Sequence, residues 1–390
     1  MTVTPVSRTP QSKQYFHLLS ALRGIAAILV VLRHTALIFA PIQFPMGYMA
    51  VDIFFLLSGV VIEASYGKEL LSDMTLLRFV FIRVVRIYPL YILGTALTLL
   101  TILVAPNHQL MEGTHDYDVS HKAMDGLLNI FLLPNLRAPD NEFPFNGPAW
   151  SLFFETAVNV TYASIVTRLT MPRLLSLTGA CGIALLFSIL HFHRFYGNEF
   201  GWTRETFIGG FFRTGWSFFL GVIIYRLHRS NPLGFCRRHS GVSALCITAI
   251  AAALLMGEAP KGAGAVYYVL AVFIIFPALI YAALSVEPGH FVSPVLKFLG
   301  DTSYAVYTTH VPMYLFLCSV VAVYTRLSLT DATPWAGFVF LILLIGLSYA
   351  LDKVYDRPVR RYLRQLWRDT PAVLPMASID QGRPAAPIDT

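Results

Sequence analysis

Long apolar runs separated by short polar breaks set the pattern of this chain. Ten runs are long enough for membrane helices, at about 18–39, 47–66, 84–105, 148–167, 174–192, 207–227, 241–257, 264–285, 304–325 and 335–355. About 20 apolar residues cross a bilayer core as a helix, and only a helix or a closed barrel satisfies its own backbone there. The pattern predicts an all-α polytopic membrane protein of about ten transmembrane helices, with residues 17–366 as one membrane domain. Residues 1–16 form a polar tail and residues 367–390 a Pro/Ala-rich one, both expected to be disordered. The polar first residues and the length of the first run argue against a cleavable signal peptide. One polar interruption is long, the loop at about 106–146. Within it, Leu127 to Leu133 is too short to span and suits an interfacial or re-entrant segment.

Composition strengthens the membrane reading. The 390 residues are 56% hydrophobic and 13% charged, with a mean hydropathy of +0.61. Soluble chains carry about a quarter charged residues. The net charge of +7 would point to nucleic acid in a soluble protein. Here it marks cytoplasmic segments, and no nucleic-acid partner is expected. With the N-terminus inside, twenty-one Lys and Arg fall on inner segments and six on outer ones, while Arg33 and Arg213 lie within spans. That bias puts both termini in the cytoplasm. Cys181, Cys236, Cys246 and Cys318 have no paired spacing, so free thiols are expected. His108, His115 and His121 of the long loop have no compact ligand spacing, so no metal is expected. No internal repeat of the kind common in transporters is legible.

The ionisable residues inside the runs carry the chemistry. Arg23 and His34 are eleven residues apart in the first run. On a helix they are roughly 20° apart in direction and about 16 Å apart along the axis. Snorkelling at a helix end explains Arg23 but not His34, and intramembrane ionisable residues are functional by default. Asp52 lies about as deep in the second span as Arg33 and His34 lie in the first. Buried charges pair, which leaves two readings. Asp52 forms an ion pair with Arg33 that joins two helices, or it orients His34 as a catalytic base. Glu155, in the fourth span, also needs a partner, and Arg33 and Arg213 are at compatible depths. Together with Trp150 at the start of that span, these three form the expected acceptor-side set. Ser58 and Gly59 read equally as a packing notch or as part of a site. Arg78, Arg83 and Arg86 join Arg23 in a basic cluster at the cytoplasmic face. Part of that cluster is positive-inside bias, yet Arg83 and Arg86 share a helix face and suit a phosphorylated cytosolic ligand. Tyr304 and His310 complete the expected donor-side set. Tyr304 and Tyr307 alone would be ordinary interfacial aromatics, whereas His310, two residues before Pro312, is not.

Five segments in order resemble the acyltransferase-3 family of integral-membrane O-acyltransferases. They are Arg23 with His34, Val51 to Gly59, Arg83 to Pro89, Trp150 to Glu155, and Gly300 to Tyr304 with His310 to Pro312. The resemblance covers most of residues 17–365. It implies ten helices and transfer of an acyl group, usually acetyl from acetyl-CoA, to a hydroxyl of a sugar, glycan, lipid-linked oligosaccharide or small molecule. It also implies a catalytic role for His34 and a donor role for Arg23. Two departures stand out: Arg33 replaces the usual apolar or aromatic residue, and Thr156 stands where a second acid is common. The expectation is a bacterial inner-membrane O-acetyltransferase with His34 and Asp52 catalytic, acetyl-CoA as donor and a glycan hydroxyl as acceptor. The rival is a proton-coupled transporter using Arg33, His34, Asp52, Glu155 and Arg213 as a relay.

Overall fold

The computed structural model describes residues 16–104, 119–137, 142–192, 200–233, 239–286, 293–325 and 327–369. Both expected tails, apart from Phe16 and Trp367 to Asp369, lie outside the described residues. So do Cys236 and much of the long loop, His108 and His115 included.

Every regular element among the described residues is helical. In chain order, α1 is His17–His34, α2 Ala36–Phe39, α3 Ala50–Ser72 and α4 Leu76–Val104. Then come α5 Val119–Ile130, α6 Ala149–Ile165, α7 Met171–Phe192, α8 Phe207–Ser230 and α9 Ser240–Met256. The last are α10 Gly264–Leu270, α11 Phe276–Ala283, α12 Ser293–Thr325, α13 Trp335–Leu351 and α14 Arg357–Asp369. A π turn, Ala271–Ile275, joins α10 to α11, and a second, Asp352–Asp356, joins α13 to α14. The helix therefore continues to Asp369 where the sequence pattern expected a disordered tail from residue 367.

Seven helical stretches are long and apolar enough to cross a membrane: His17–His34, Pro45–Ser72, Met171–His191, Phe207–Ser230, Gly264–Ala283, Ser293–Thr325 and Trp335–Trp367. The other three expected spans fall in α4, α6 and α9, of which α6 and α9 have only 17 residues each. The surface supports a bilayer as solvent. Leu103, Ile183, Phe187, Leu245 and Ile342 are all exposed, while Asp52, Arg213, His310 and Ser319 are buried. This is an integral membrane protein with its polar groups turned inward.

Two close crossings organise the bundle. α1 packs along α12, and a Cβ placed on Gly24 would lie 2.6 Å from the Leu299 side chain. α3 packs along α8, where Gly59 and Gly221 let each backbone meet the other: Gly59 faces the Phe218 carbonyl and Gly221 the Leu56 carbonyl. Small residues are how helices approach when apolar burial gives no drive inside lipid. Above that second crossing sits the most deeply buried ion pair. Arg213 of α8 donates from Nε to Asp52 Oδ1 at 2.9 Å and from one terminal nitrogen to Oδ2 at 2.6 Å. The Tyr48 carbonyl accepts from Arg213 at 3.1 Å, and the Tyr268 hydroxyl donates to Asp52 at 3.1 Å. Both charged side chains are 1% exposed.

Before α6 the chain turns into the protein. Phe143 and Asn146 are buried, and Glu142 is fully buried with neither carboxylate oxygen hydrogen-bonded. Burial raises the Glu142 pKa to about 7.

Two outcomes follow from this packing. Asp52→Ala is expected to cost about 3–5 kcal/mol, because it leaves the Arg213 charge buried and uncompensated. The double variant Asp52→Leu/Arg213→Met should melt higher than Asp52→Ala in detergent. Glu142→Gln tests the buried acid. A raised folded-state pKa gives stability that is present below the ordinary carboxylate value and lost as pH rises through the folded value. The variant and wild type should therefore melt alike at about pH 4, with the variant melting higher at about pH 8.

Candidate functional site

Arg23 is held where α1 meets α12. Its Nε donates to Ser303 Oγ at 2.9 Å, and a terminal nitrogen donates to the Gly300 carbonyl at 2.7 Å. Arg83 of α4 reaches Glu155 of α6 at 2.8 Å, and Ser58 of α3 donates to the same carboxylate oxygen at 2.9 Å. Arg86 lies over the Tyr304 ring, 4.7 Å from its centroid, and the Tyr304 hydroxyl donates to the Ile87 carbonyl. These side chains line one cavity of about 870 Å³, together with Phe54, Phe55, Ser151 and Tyr307. Its neck is basic and its inner wall is largely apolar.

A second, more open basin of about 1060 Å³ shares Arg23 and Arg86 with the first. Lys297, Arg357, Arg360, Arg361 and Arg364 line it, with Asp301 and Asp352 as its acids. Seven cations against two carboxylates make it strongly positive. The acids anchor the arginines: Arg357 meets Asp352 at 2.7 Å and Asp301 at 3.1 Å, and Arg360 pairs with Asp356. The π turn at Asp352–Asp356 carries both buried acids of α13 and α14. Such bulges are frequent at functional sites.

The far end of the inner cavity reaches a histidine pair. Tyr307 lines the cavity, and its ring centroid is 5.9 Å from that of His310. His310 Nε2 lies 3.1 Å from His34 Nδ1. Tyr307 is fixed through its hydroxyl, which lies 2.5 Å from Ser151 Oγ and 3.3 Å from the Pro148 carbonyl. Pro312 has no N–H, so the Thr308 carbonyl one turn earlier loses its helical donor. Asn146 Nδ2 supplies one at 3.3 Å. The stretch of α12 that carries His310 is thus tied down from the segment before α6.

Several expected contacts are differently made. Asp52 was expected at Arg33 or His34, and its carboxylate is instead engaged by Arg213 and Tyr268. The reason is helix adjacency: α1 lies along α12 and α3 along α8, although α1 and α3 are chain neighbours. Glu155 was expected near Arg33 or Arg213 on the acceptor side, but it pairs with Arg83 in the cavity wall. Trp150 and Arg213 are core residues, the Arg213 guanidinium carbon 5.6 Å from the Trp150 ring centroid. Neither lines the cavity. Arg78 is exposed and lines neither space. His310, expected on the donor side, meets His34. Arg33 is half-buried beside His34 on α1. Gly59 is the packing notch, whereas its neighbour Ser58 lines the cavity.

The sequence reading missed the basin. Its arginines counted only toward membrane orientation, yet Arg357, Arg360, Arg361 and Arg364 recur at helical spacing directly after an apolar run. That spacing was the available signal. Among the described residues no cluster of three or more His, Cys, Asp or Glu could hold a metal ion. Cys181, Cys246 and Cys318 are free thiols.

Comparison with known proteins accounts for this architecture. A family model described as an acyltransferase domain matches residues 16–353. A relative described as Protein 2 in picA locus, from Rhizobium radiobacter, is 33% identical over 201 residues. That alignment covers 48% of this chain and all of the relative. No solved structure matches. With the five motif segments and nearly all the helical domain inside the matched range, the chain belongs to the acyltransferase-3 family and is an O-acyltransferase.

Proposed function

We propose that this enzyme moves an acetyl group from cytosolic acetyl-CoA to a hydroxyl of a sugar or glycan. One observation carries the reading: Arg23 and Arg86 wall both the basic basin and the apolar cavity that ends beside the histidine pair. A donor with an anionic head and a thin uncharged arm fits that sequence of environments. The phosphates of CoA suit the basin, where Arg357, Arg360, Arg361 and Arg364 offer charge-assisted hydrogen bonds. The pantetheine arm passes the neck at Arg23 and Arg86 and brings the thioester toward Tyr307 and His34.

His34 then acts as general base. It takes the proton from the acceptor hydroxyl as that oxygen bonds to the acetyl carbon, and the carbon–sulfur bond breaks. The proton returns to the departing CoA thiolate, which leaves as the thiol. The alternative is an acetyl-His34 intermediate, which mass spectrometry of enzyme quenched with acetyl-CoA alone would detect. Because CoA is a cytosolic donor, the basin faces the cytoplasm. Both chain termini share that side if α4, α6 and α9 complete ten spans. A glycan of the cell envelope or one being exported, modified at the bacterial inner membrane, is the acceptor class that this arrangement best serves.

His34→Ala is expected to lower acetyl transfer or slow acetyl-CoA hydrolysis by at least about 10²-fold, with an unchanged melting temperature. Wild-type turnover in that variant would refute the catalytic role. Arg361→Ala and Arg364→Ala should each raise the KM for acetyl-CoA roughly fivefold with kcat unchanged. The same variants should leave the KM for acetyl-pantetheine, which lacks the nucleotide, unaffected. A KM change confined to the acceptor would sink the donor assignment.

A further inference from the structure

The histidine pair is defined nitrogen by nitrogen. His310 Nδ1 lies 2.7 Å from the Tyr307 carbonyl, which only accepts, so Nδ1 carries the proton. In the neutral ring that leaves Nε2 as an acceptor. His310 Nε2 is 3.1 Å from His34 Nδ1, and this hydrogen bond requires the proton on His34. His34 Nδ1 also lies 3.1 Å from the Val30 carbonyl, a second acceptor that requires the same proton. Two independent contacts thus put the proton of neutral His34 on Nδ1 and its lone pair on Nε2.

We infer that His310 is a positioning residue for His34. It fixes the tautomer and ring direction of His34, keeps Nε2 basic, and accepts from Nδ1–H when His34 takes up a proton. The inference rests on His34 being the base proposed above. The role resembles that of the aspartate in a Ser-His-Asp triad, but the group is neutral. Neutrality suits the place: His310 is fully buried, and an unpaired carboxylate there would pay heavily for desolvation. When His34 becomes an imidazolium, its bond to His310 turns charge-assisted and strengthens, which favours the charged state only during turnover. Tyr307 anchors the other face of His310, and its hydroxyl contacts with Ser151 and Pro148 keep that anchor still.

The experiment compares His310→Leu, His310→Gln and His310→Asn with wild type and His34→Ala in detergent. Leucine removes the acceptor. Glutamine places a carbonyl oxygen near the position of Nε2, and asparagine is one carbon too short. His310→Leu and His310→Asn are expected to lose on the order of 10²-fold or more in kcat. Their KM for acetyl-CoA should change little, and their melting temperatures should stay near wild type. His310→Gln should recover most of the kcat. A readout independent of turnover is the ¹⁵N spectrum of labelled histidine, with His34 identified by its loss in His34→Ala. In wild type His34 Nε2 should show the shift of an unprotonated ring nitrogen. In His310→Leu the two His34 nitrogens should move toward averaged values. If the leucine variant does not fold, the glutamine–asparagine difference decides. Full kcat in His310→Leu, equal loss in Gln and Asn, or an unmoved His34 spectrum would overturn the inference. A raised donor KM at constant kcat would return His310 to the donor side. If His34→Ala itself turns over normally, the proposed mechanism fails, whereas an inactive His34→Ala beside a fully active His310→Leu defeats only this inference.

Discussion

The crossing of α1 with α12 is the contact on which the site depends. It is tight because Gly24 brings the α1 backbone up to Leu299 with no side chain between. The two helices run in the same direction along that contact. Arg23 therefore meets Gly300 and Ser303, and His34, three turns on, meets His310. A donor-side cation and a catalytic base are thus set on one pair of helices, with the apolar cavity beside them. Neither residue depends on a loop for its place.

Around this pair the protein compensates each buried charge locally. Asp52 and Arg213 neutralise each other among aromatic rings, Glu63 holds Arg226, and Glu155 holds Arg83. Only the first of these is closed to solvent on both sides. The Arg83–Glu155 pair faces the cavity, where it presents a net-neutral polar wall to an uncharged arm. The free positive charge is concentrated farther out, in the basin. Charge thus falls from the basin to the cavity wall to the uncharged resting histidines, which matches a donor whose own charge falls from head to thioester.

Much of this was legible in the sequence. The eleven-residue spacing of Arg23 and His34 required one helix face, and α1 carries both. Buried charges needed partners, and Asp52 and Glu155 have them. What sequence could not supply was the choice of partner, because that depends on which helices touch. Chain neighbours were assumed to pack, whereas α3 lies against α8 and α1 against α12. The two histidines are 276 residues apart, so no local pattern links them. The basin was hidden for a different reason. Positive-inside bias and anion binding use the same residues, and a count of charges cannot tell one use from the other. Only the helical spacing of the last four arginines carried the distinction.

The π turn at Asp352–Asp356 gives the basic end a rotational register. A π turn holds one residue more than regular helix in the same stretch. Removing one residue there would let the chain close into ordinary α-helix, turning everything beyond it by about 100°. The helix Arg357–Asp369 would survive intact, but Arg357, Arg360, Arg361 and Arg364 would swing off the basin together. Donor capture is therefore encoded in helix phase as well as in composition, and a single-residue deletion could abolish it while leaving every arginine in the chain.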